Sequence, residues 1–106
     1  MARRGAKVDG NQSLIVAELR ALGFRVQSIA KVGAGAPDLV VGHGGRNWLF
    51  EVKQLGEKLN KNEERWHQNW TGQVAVIHNS KEAVLEMVKS VGWNALGPAA
   101  MAHWLL

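Results

Sequence analysis

The sequence predicts an α/β fold of the α+β kind, in which helices flank a mixed central sheet. Three observations predict it. Apolar residues recur at helical spacing near the start of the chain and again in its second half. Runs of strand-forming residues lie between these segments, and Gly44-Gly45 separates two of the runs as a hairpin turn would. The resulting order, α-β-β-β-α-β-α, gives a three-stranded meander followed by a helix and a further strand.

The first helix is expected to begin at a cap formed by Asp9 or Asn11 and to end near Leu22, because Gly23 follows as a C-cap. Residues 24–30 alternate between apolar and polar side chains, which predicts the first strand. The small residues 32–36 then form a loop. The glycines in this loop either let a phosphate approach the backbone or simply provide a flexible connection.

The next two strands, about 38–42 and 47–53, form a hairpin around Gly44-Gly45, because glycine tolerates the positive φ angles of a two-residue turn. In that register His43 faces Arg46, so the numbers of opposed residues add up to 89. Asp38 therefore lies opposite Glu51, with Cβ atoms roughly 4.5–5.5 Å apart. Three further residues share their face (Val40, Leu49 and Lys53), whereas five point the other way (Leu39, Val41, Trp48, Phe50 and Val52).

In the second half, Asn60 is expected to cap a helix that runs to about Trp70, with Glu63 completing a capping box. Residues 74–78 form a short buried strand, and Ser80 caps the following helix. The tail, 93–106, is either a short packed helix or a contact for a partner. Three of the five tryptophans (Trp48, Trp66 and Trp70) are most simply core residues, with base stacking as the alternative.

Length and composition predict a single domain spanning residues 1–106, because 46% of the residues are hydrophobic. The chain has no cysteine, which excludes a disulfide framework, a thiolate metal site and a cysteine nucleophile. That composition fits the reducing environment of the cytoplasm. No apolar run reaches the roughly 18 residues of a membrane span, and no P-loop or GxGxxG motif appears. We therefore expect no membrane association and no small-molecule cofactor.

The formal charge of +4 suits a polyanionic partner. Residues 1–8 are expected to form a basic arm, in which Arg3, Arg4 and Lys7 either contact nucleic-acid phosphates or are simply solvated. Lys58 and Lys61 are further candidates, since they follow the second hairpin strand closely.

The acids and the lysine of the hairpin are the candidate functional residues. Two carboxylates about 5 Å apart, with an ammonium beside them, destabilise a fold but bind a divalent cation well. The alternative is an ordinary hairpin in which Glu51 and Lys53 pair at a solvated edge. Glu51 follows three large apolar residues, however, and both hairpin strands are apolar on two faces, as in strands covered on both sides. An acid in that position needs a charged partner.

These residues resemble the PD-(D/E)XK nucleases. The motif reads Pro37-Asp38 followed by Glu51-Val52-Lys53, and the predicted αβββαβ order matches the restriction-endonuclease-like core of that superfamily. Trp66-His67, followed by Trp70 and Gly72, adds to the likeness. Within the superfamily, the small stand-alone VRR-NUC-type enzymes of phages and bacteria are the most similar, and the archaeal-type Holliday junction resolvases are more distant.

The resemblance implies roles for these residues. Asp38, Glu51 and the backbone carbonyl of Val52 would hold Mg²⁺ or Mn²⁺, and Lys53 would orient or activate the attacking water and stabilise the charge on the phosphorane. Many members add an acid or a glutamine near the start of the first helix, where Gln12 is the best match and Asp9 lies one turn earlier. Glu18, in mid-helix, is expected to be solvated.

The expected function is that of a metal-dependent DNA endonuclease, acting as a homodimer on branched or junction DNA, because so small a domain offers little surface for reading a sequence. Three alternatives remain. The first is a site-specific nuclease of the restriction or homing type. The second is a catalytically silent nucleic-acid-binding module on the same fold, and the third is a scaffold protein that uses the tryptophan-rich half.

Overall fold

A four-stranded mixed sheet lies at the centre of residues 10–106, the part of the chain that this computed structural model describes. Along the chain, the elements are α1 (Gly10–Ala21), β1 (Arg25–Ser28), β2 (Leu39–His43), β3 (Arg46–Val52), α2 (Lys61–Asn69), β4 (Ala75–Ile77), α3 (Ser80–Val91), α4 (Trp93–Leu96) and α5 (Pro98–Leu105), with a 3-10 turn at Ala30–Val32. Residues 1–9, which include Arg3, Arg4, Lys7 and Asp9, lie outside the described range.

The strands lie side by side in chain order, β1-β2-β3-β4. The first three form an antiparallel meander, and β4 pairs parallel to β3 after the chain crosses over through α2. A parallel neighbour requires such a crossover, because a tight turn can only join antiparallel strands. The predicted mixed sheet flanked by helices, in the order αβββαβ, is confirmed.

The hairpin between β2 and β3 has the predicted register. Gly44 and Gly45 have φ angles of 59° and 79°, as a two-residue hairpin turn with positive φ at both positions demands. His43 pairs with Arg46 and Leu39 pairs with Phe50, so the numbers of opposed residues add up to 89. The paired register ends at Leu39 and Phe50, and the Asp38 N–H also donates to the Phe50 carbonyl, so the predicted pairing of Asp38 directly opposite Glu51 stays a prediction.

The two faces of the sheet differ in how they are covered. One face is fully buried under α1 and α3, and it carries the five hairpin side chains that were expected to share it: Leu39, Val41, Trp48, Phe50 and Val52. On the other face, Val40 and Leu49 are only half-buried. The prediction of cover on both sides is therefore wrong for this second face, which stays partly open to solvent.

The helix caps confirm one prediction and correct two. Asn60 and Glu63 form the expected capping box at the start of α2. At α3, the capping side chain is that of Asn79, not Ser80, because Oδ1 of Asn79 accepts the Glu82 N–H at 2.8 Å. At α1, Asn11 lies inside the helix and is not its cap.

Ser80 instead lies buried in a polar cluster with Glu18 and His103. Its hydroxyl is 2.7 Å from a carboxylate oxygen of Glu18 and 2.7 Å from Nε2 of His103. Glu18 is thus half-buried and hydrogen-bonded, and the expectation that it is solvated is wrong. The contact joins α1, α3 and α5 on the covered side of the sheet.

The tail forms the short helices α4 and α5, which pack onto the core through Leu96 and Ala100. Of the two readings left open for residues 93–106, the packed helix is therefore observed. Beyond these contacts, Leu105 and Leu106 are exposed. Within residues 10–106, each helix is too short or too polar to cross a membrane.

Candidate metal and nucleic-acid site

Asp38 is fixed against β3 by its backbone and by its side chain. Its N–H donates to the Phe50 carbonyl at 3.1 Å, and its Oδ2 accepts the Val52 N–H at 2.8 Å. The carboxylate thus takes the place of a backbone acceptor at the end of the β2–β3 ladder. This bond engages Oδ2 and not Oδ1.

Glu51 is the most deeply buried acid of the site. Its side chain is only 2% exposed, and its Oε1 has no hydrogen-bond partner. Burial, followed by a hydrogen bond to the Asp38 carboxylate and by the charges of Asp38 and Glu63, raises the pKa of Glu51 to about 9, although Lys53 opposes the shift. With a pKa of about 9, Glu51 is protonated at neutral pH, because burial and the neighbouring Asp38 and Glu63 carboxylates disfavour its charged form.

Lys53 lies on the same face, one position beyond Glu51 in the alternation of β3. Its Nζ is 2.7 Å from Glu63, 3.5 Å from Glu57 and 4.0 Å from Glu51. Burial alone would favour the neutral amine, but the hydrogen bond to Glu63 and the surrounding carboxylates outweigh it, so the pKa of Lys53 is raised. The side chain is an ammonium at neutral pH and cannot act as a general base there.

Glu63 is a member of this cluster that sequence reasoning used only as a helix cap. One of its carboxylate oxygens, Oε1, receives both the Asn60 N–H and the Lys53 ammonium. Burial alone would raise the pKa of Glu63, but these two hydrogen bonds lower it overall. The sequence did contain a signal for this position. The capping box with Asn60 holds Glu63 at the start of α2, beside the loop that follows β3.

The first turn of α1 lies against the end of β3, as the resemblance implied for Gln12. The observed contact comes from its neighbour, however, since the Asn11 amide donates to the Lys53 carbonyl at 3.1 Å. Gln12 is buried beside it. Asn11 was missed as a site residue because its position favoured a cap. A catalytic role for Gln12 stays a prediction.

The backbone of Val52 faces the acid pair. A strand residue points its N–H and C=O towards the same neighbouring strand. The Val52 N–H binds the Asp38 carboxylate, and so its carbonyl points towards the same side. Its side chain is buried on the opposite, covered face. The Val52 carbonyl, a predicted metal donor, therefore lies on the same side of β3 as the Asp38 carboxylate.

This donor set fits a hard divalent cation. The unpartnered, buried Oε1 of Glu51 is an acceptor that the protein itself does not satisfy. No cluster of three or more His, Cys, Asp or Glu side chains suited to a metal occurs within residues 10–106. Two carboxylates with a carbonyl remain sufficient for Mg²⁺, which keeps several waters and is commonly bound through one or two carboxylates plus substrate phosphates.

The open face of the sheet extends from the acids towards β1. An open cleft of about 670 Å³ lies there, bordered by Val40, Gln27 and Gly42 from the sheet and by Arg20 and Arg25. Val40, which pairs with Gln27 of β1, lies two residues after Asp38 along the chain, a distance of about 7 Å. Arg20 and Arg25 were not among the predicted site residues, because their place beside this cleft depends on how α1 and β1 lie against the sheet.

Two further predicted site residues that lie within residues 10–106, Lys58 and Lys61, are exposed. Lys58 lies in the loop after β3, and Lys61 is the first residue of α2. Gly35, considered for phosphate approach, has a packing explanation, because a side chain there would overlap the Asn62 carbonyl of α2. The loop that precedes Asp38 is thus pressed against the same helix that supplies Glu63.

Comparison with known proteins does not indicate a family for this chain. None of the family models, curated proteins or solved structures compared with the chain matches it. Any functional conclusion therefore depends on the residues and the geometry described above.

Proposed function

We propose that this protein is a metal-dependent DNA endonuclease that hydrolyses phosphodiester bonds, with Asp38, Glu51 and Lys53 as its active centre. The observation that carries the proposal is the buried Glu51 carboxyl group with its unpartnered Oε1, between the Lys53 ammonium and the Asp38 carboxylate that the Val52 N–H holds. Buried acids in a cluster of this kind are costly for a fold, and their presence favours a functional explanation over a structural one. The PD-(D/E)XK resemblance of the same residues supports this reading.

In this proposal, Asp38, Glu51 and the Val52 carbonyl hold Mg²⁺ or Mn²⁺. Such an ion lowers the pKa of a bound water and offsets negative charge on the scissile phosphate. The proton that Glu51 carries must leave when the carboxylate becomes a ligand. Asp38 stays oriented throughout, since its Oδ2 remains tied to the Val52 N–H.

Lys53 acts as a positive charge in the proposed reaction. Water attacks phosphorus and releases a proton to solvent as the new P–O bond forms, and the bond to the leaving oxygen breaks as that oxygen takes up a proton from solvent. Because the pKa of Lys53 is raised, the ammonium stabilises the added negative charge and orients the water rather than removing its proton. This assigns electrostatic stabilisation, not general-base catalysis, to the lysine.

Branched or junction DNA is the proposed substrate, cut by a homodimer that places two active centres on a symmetric junction. The open sheet face, with Arg20 and Arg25 at its far end, gives room for a phosphate backbone beside the acids. Lys58 and Lys61, together with Arg3, Arg4 and Lys7, would add phosphate contacts. The absence of cysteine from the sequence fits a cytoplasmic setting.

One observation favours a second function, that of a catalytically silent nucleic-acid-binding module. Lys53 is closer to Glu63, at 2.7 Å, than to Glu51, at 4.0 Å. In a silent module the lysine would serve only to neutralise the acids around it. Such a protein would bind DNA in a salt-sensitive way and would cut none.

The deciding experiment incubates four-way junctions, flaps and plain duplex with Mg²⁺ or Mn²⁺ and compares the wild type with Lys53→Ala. We expect metal-dependent cutting, with branched DNA preferred, and a loss of roughly 10²–10³-fold in rate for the variant. Lys89→Ala is the matched control, because Lys89 also pairs with a glutamate but lies exposed on α3.

Each competing function gives a different result in the same assay. Cutting that survives in the folded Lys53→Ala protein would remove the lysine from the mechanism. Salt-sensitive binding without any cutting would establish the silent module. Cutting at one fixed sequence in linear duplex would establish a site-specific nuclease.

A further inference from the structure

A stacked pair of tryptophans on α2 stands out against the rest of the surface. The rings of Trp66 and Trp70 are 4.6 Å apart between centroids and are inclined by only 19°. Trp70 is 44% exposed, and Trp66 is half-buried. The prediction that these two residues belong to the core is therefore wrong, whereas Trp48, at 3% exposure, does belong to it. Two large aromatic rings held at the surface require an explanation.

The Trp66–Trp70 pair borders a small cavity whose walls are partly apolar and partly polar. The cavity has a volume of about 200 Å³ and is lined by Ala34, Asn62, Arg65, Trp66, Asn69 and Trp70. Pockets for drug-sized ligands measure roughly 300–1,000 Å³, so this one suits a single flat ring system. The side-chain amides can donate and accept hydrogen bonds at the edge of a ring, and the arginine can hold a phosphate.

The outer ring of the pair is held in place by its neighbours. The Trp70 indole N–H donates to the Gln73 carbonyl at 3.2 Å. The ring also lies over Gly72, where an added Cβ would come within 2.9 Å of the indole nitrogen. A ring fixed in this way loses little conformational entropy when a ligand stacks on it.

The cavity is adjacent to the proposed active centre. Trp66 lies one turn after Glu63 on α2, which brings their Cβ atoms to about 5–6 Å, and Glu63 contacts Lys53 directly. On the opposite wall, Ala34 belongs to the loop that leads into Asp38. A strand that carried its scissile phosphate at the acids would therefore pass the tryptophans within a few nucleotides.

From this placement, we propose that the cavity beside Trp66 and Trp70 binds an unpaired DNA base by stacking, close to the cleavage position. The inference depends on the proposed nuclease function for its substrate and deepens it, because it explains how the protein selects branched over paired DNA. Aromatic side chains stack on any base, and a base must leave its duplex partner to reach such a site. Arg65 supplies a positive charge for the adjoining phosphate.

The test measures binding of a short single-stranded oligothymidylate in EDTA, so that the result does not depend on cleavage. We expect the DNA to quench tryptophan fluorescence and Trp70→Leu to weaken binding roughly 5- to 150-fold, the equivalent of about 1–3 kcal/mol for one stacked base. Trp70→Phe should retain most of the affinity, because phenylalanine keeps an aromatic face.

A matched control exists at the other end of the fold. Trp93 and Trp104 also form an aromatic pair, arranged edge to face, and Trp104 is 38% exposed. Trp104→Leu should therefore leave the affinity unchanged. Equal binding by the wild type and Trp70→Leu, or equal losses in Trp70→Leu and Trp104→Leu, would overturn the base site. A change of oligomeric mass in Trp70→Leu alone would also overturn it, by showing that a second copy of the chain covers the rings.

A second measurement separates this inference from the nuclease proposal. A single abasic position is moved along the cleaved strand of a branched substrate. One position should slow cutting by the wild type but not by Trp70→Leu, and equal rates at all positions would contradict the site. If the single strand binds through Trp70 but no substrate is cut, the base site stands and the nuclease proposal fails.

Discussion

The two faces of the β2–β3 hairpin differ in almost every physical respect, although they alternate residue by residue along the same strands. The covered face holds Trp48, Phe50 and Val52, each at most 3% exposed and packed under helices. The other face holds Glu51 and Lys53, equally buried but surrounded by charge. Neighbouring residues of this hairpin therefore serve different purposes. The pleat of the strand directs those that stabilise the fold to one face and those of the candidate site to the other.

The largest effect should follow from opening a cavity on the covered face. Phe50 is fully buried, so Phe50→Ala should lower the free energy of unfolding by about 3–5 kcal/mol. Urea denaturation monitored by circular dichroism measures this loss. A loss below about 1 kcal/mol would show that the covered face is not the main source of stability.

Glu51, the neighbour of Phe50 on the other face, should lower the stability of the fold as the pH rises, whereas Phe50 raises it. The pKa of Glu51 in the folded protein is about 9, above the ordinary value of 4.5, so the unfolded chain releases a proton that the folded chain keeps. Stability should therefore be highest at acidic pH and should fall as the pH rises towards 9, by at most about 1.4 kcal/mol per pH unit from this one group.

Glu51→Gln should remove that slope and stabilise the protein at pH 8, because the amide cannot ionise. Urea denaturation at pH 6, 7 and 8 compares the two proteins under metal-free conditions. Parallel pH profiles for the wild type and Glu51→Gln would mean that Glu51 is already ionised in the folded state.

Binding of a divalent cation should offset the unfavourable free energy of holding the two acids close together. At a metal concentration tenfold above the dissociation constant, Mg²⁺ or Mn²⁺ should stabilise the fold by about 1.4 kcal/mol, which raises the melting temperature by roughly 4–8 °C per kcal/mol. Asp38→Asn should largely abolish this shift. It still offers the Val52 N–H an acceptor oxygen, so the hairpin itself is preserved. An unchanged melting curve across a millimolar titration would argue strongly against the site.

The smallest effects should come from the two asparagine caps. Asn60 and Asn79 each accept a backbone N–H at 2.8 Å, so each Asn→Ala change should cost about 1 kcal/mol in thermal or urea unfolding. Only Asn60→Ala should also slow DNA cleavage, because its capping box holds Glu63 against Lys53. Equal cleavage by the two cap variants would separate Glu63 from the active centre.

The hairpin could be predicted from the sequence because its signals are local. Gly44-Gly45 determines the turn, and the turn determines the register from His43–Arg46 to Leu39–Phe50. The capping box of α2 is equally local. Predictions of this kind depend on a few adjacent residues, and the structure confirms them.

The predictions that failed concern contacts between distant segments. The partial cover of the second sheet face and the exposure of Trp66 and Trp70 depend on where α2 lies relative to the sheet. The Glu18–Ser80 hydrogen bond joins residues 62 positions apart. The pattern of apolar and polar residues along the chain does not specify contacts between distant segments. For this reason, Glu63 and Asn11 were not recognised as parts of the site.

The account depends most directly on whether the polar face of the hairpin binds one divalent cation. Electron paramagnetic resonance of Mn²⁺ counts the free ion during a titration with protein. We predict one bound Mn²⁺ per chain in the wild type, with binding that tightens as the pH rises and Glu51 loses its proton, and none in Asp38→Asn. Wild-type protein that leaves all the Mn²⁺ free at millimolar concentrations, or an Asp38→Asn variant that binds it equally well, would contradict the account.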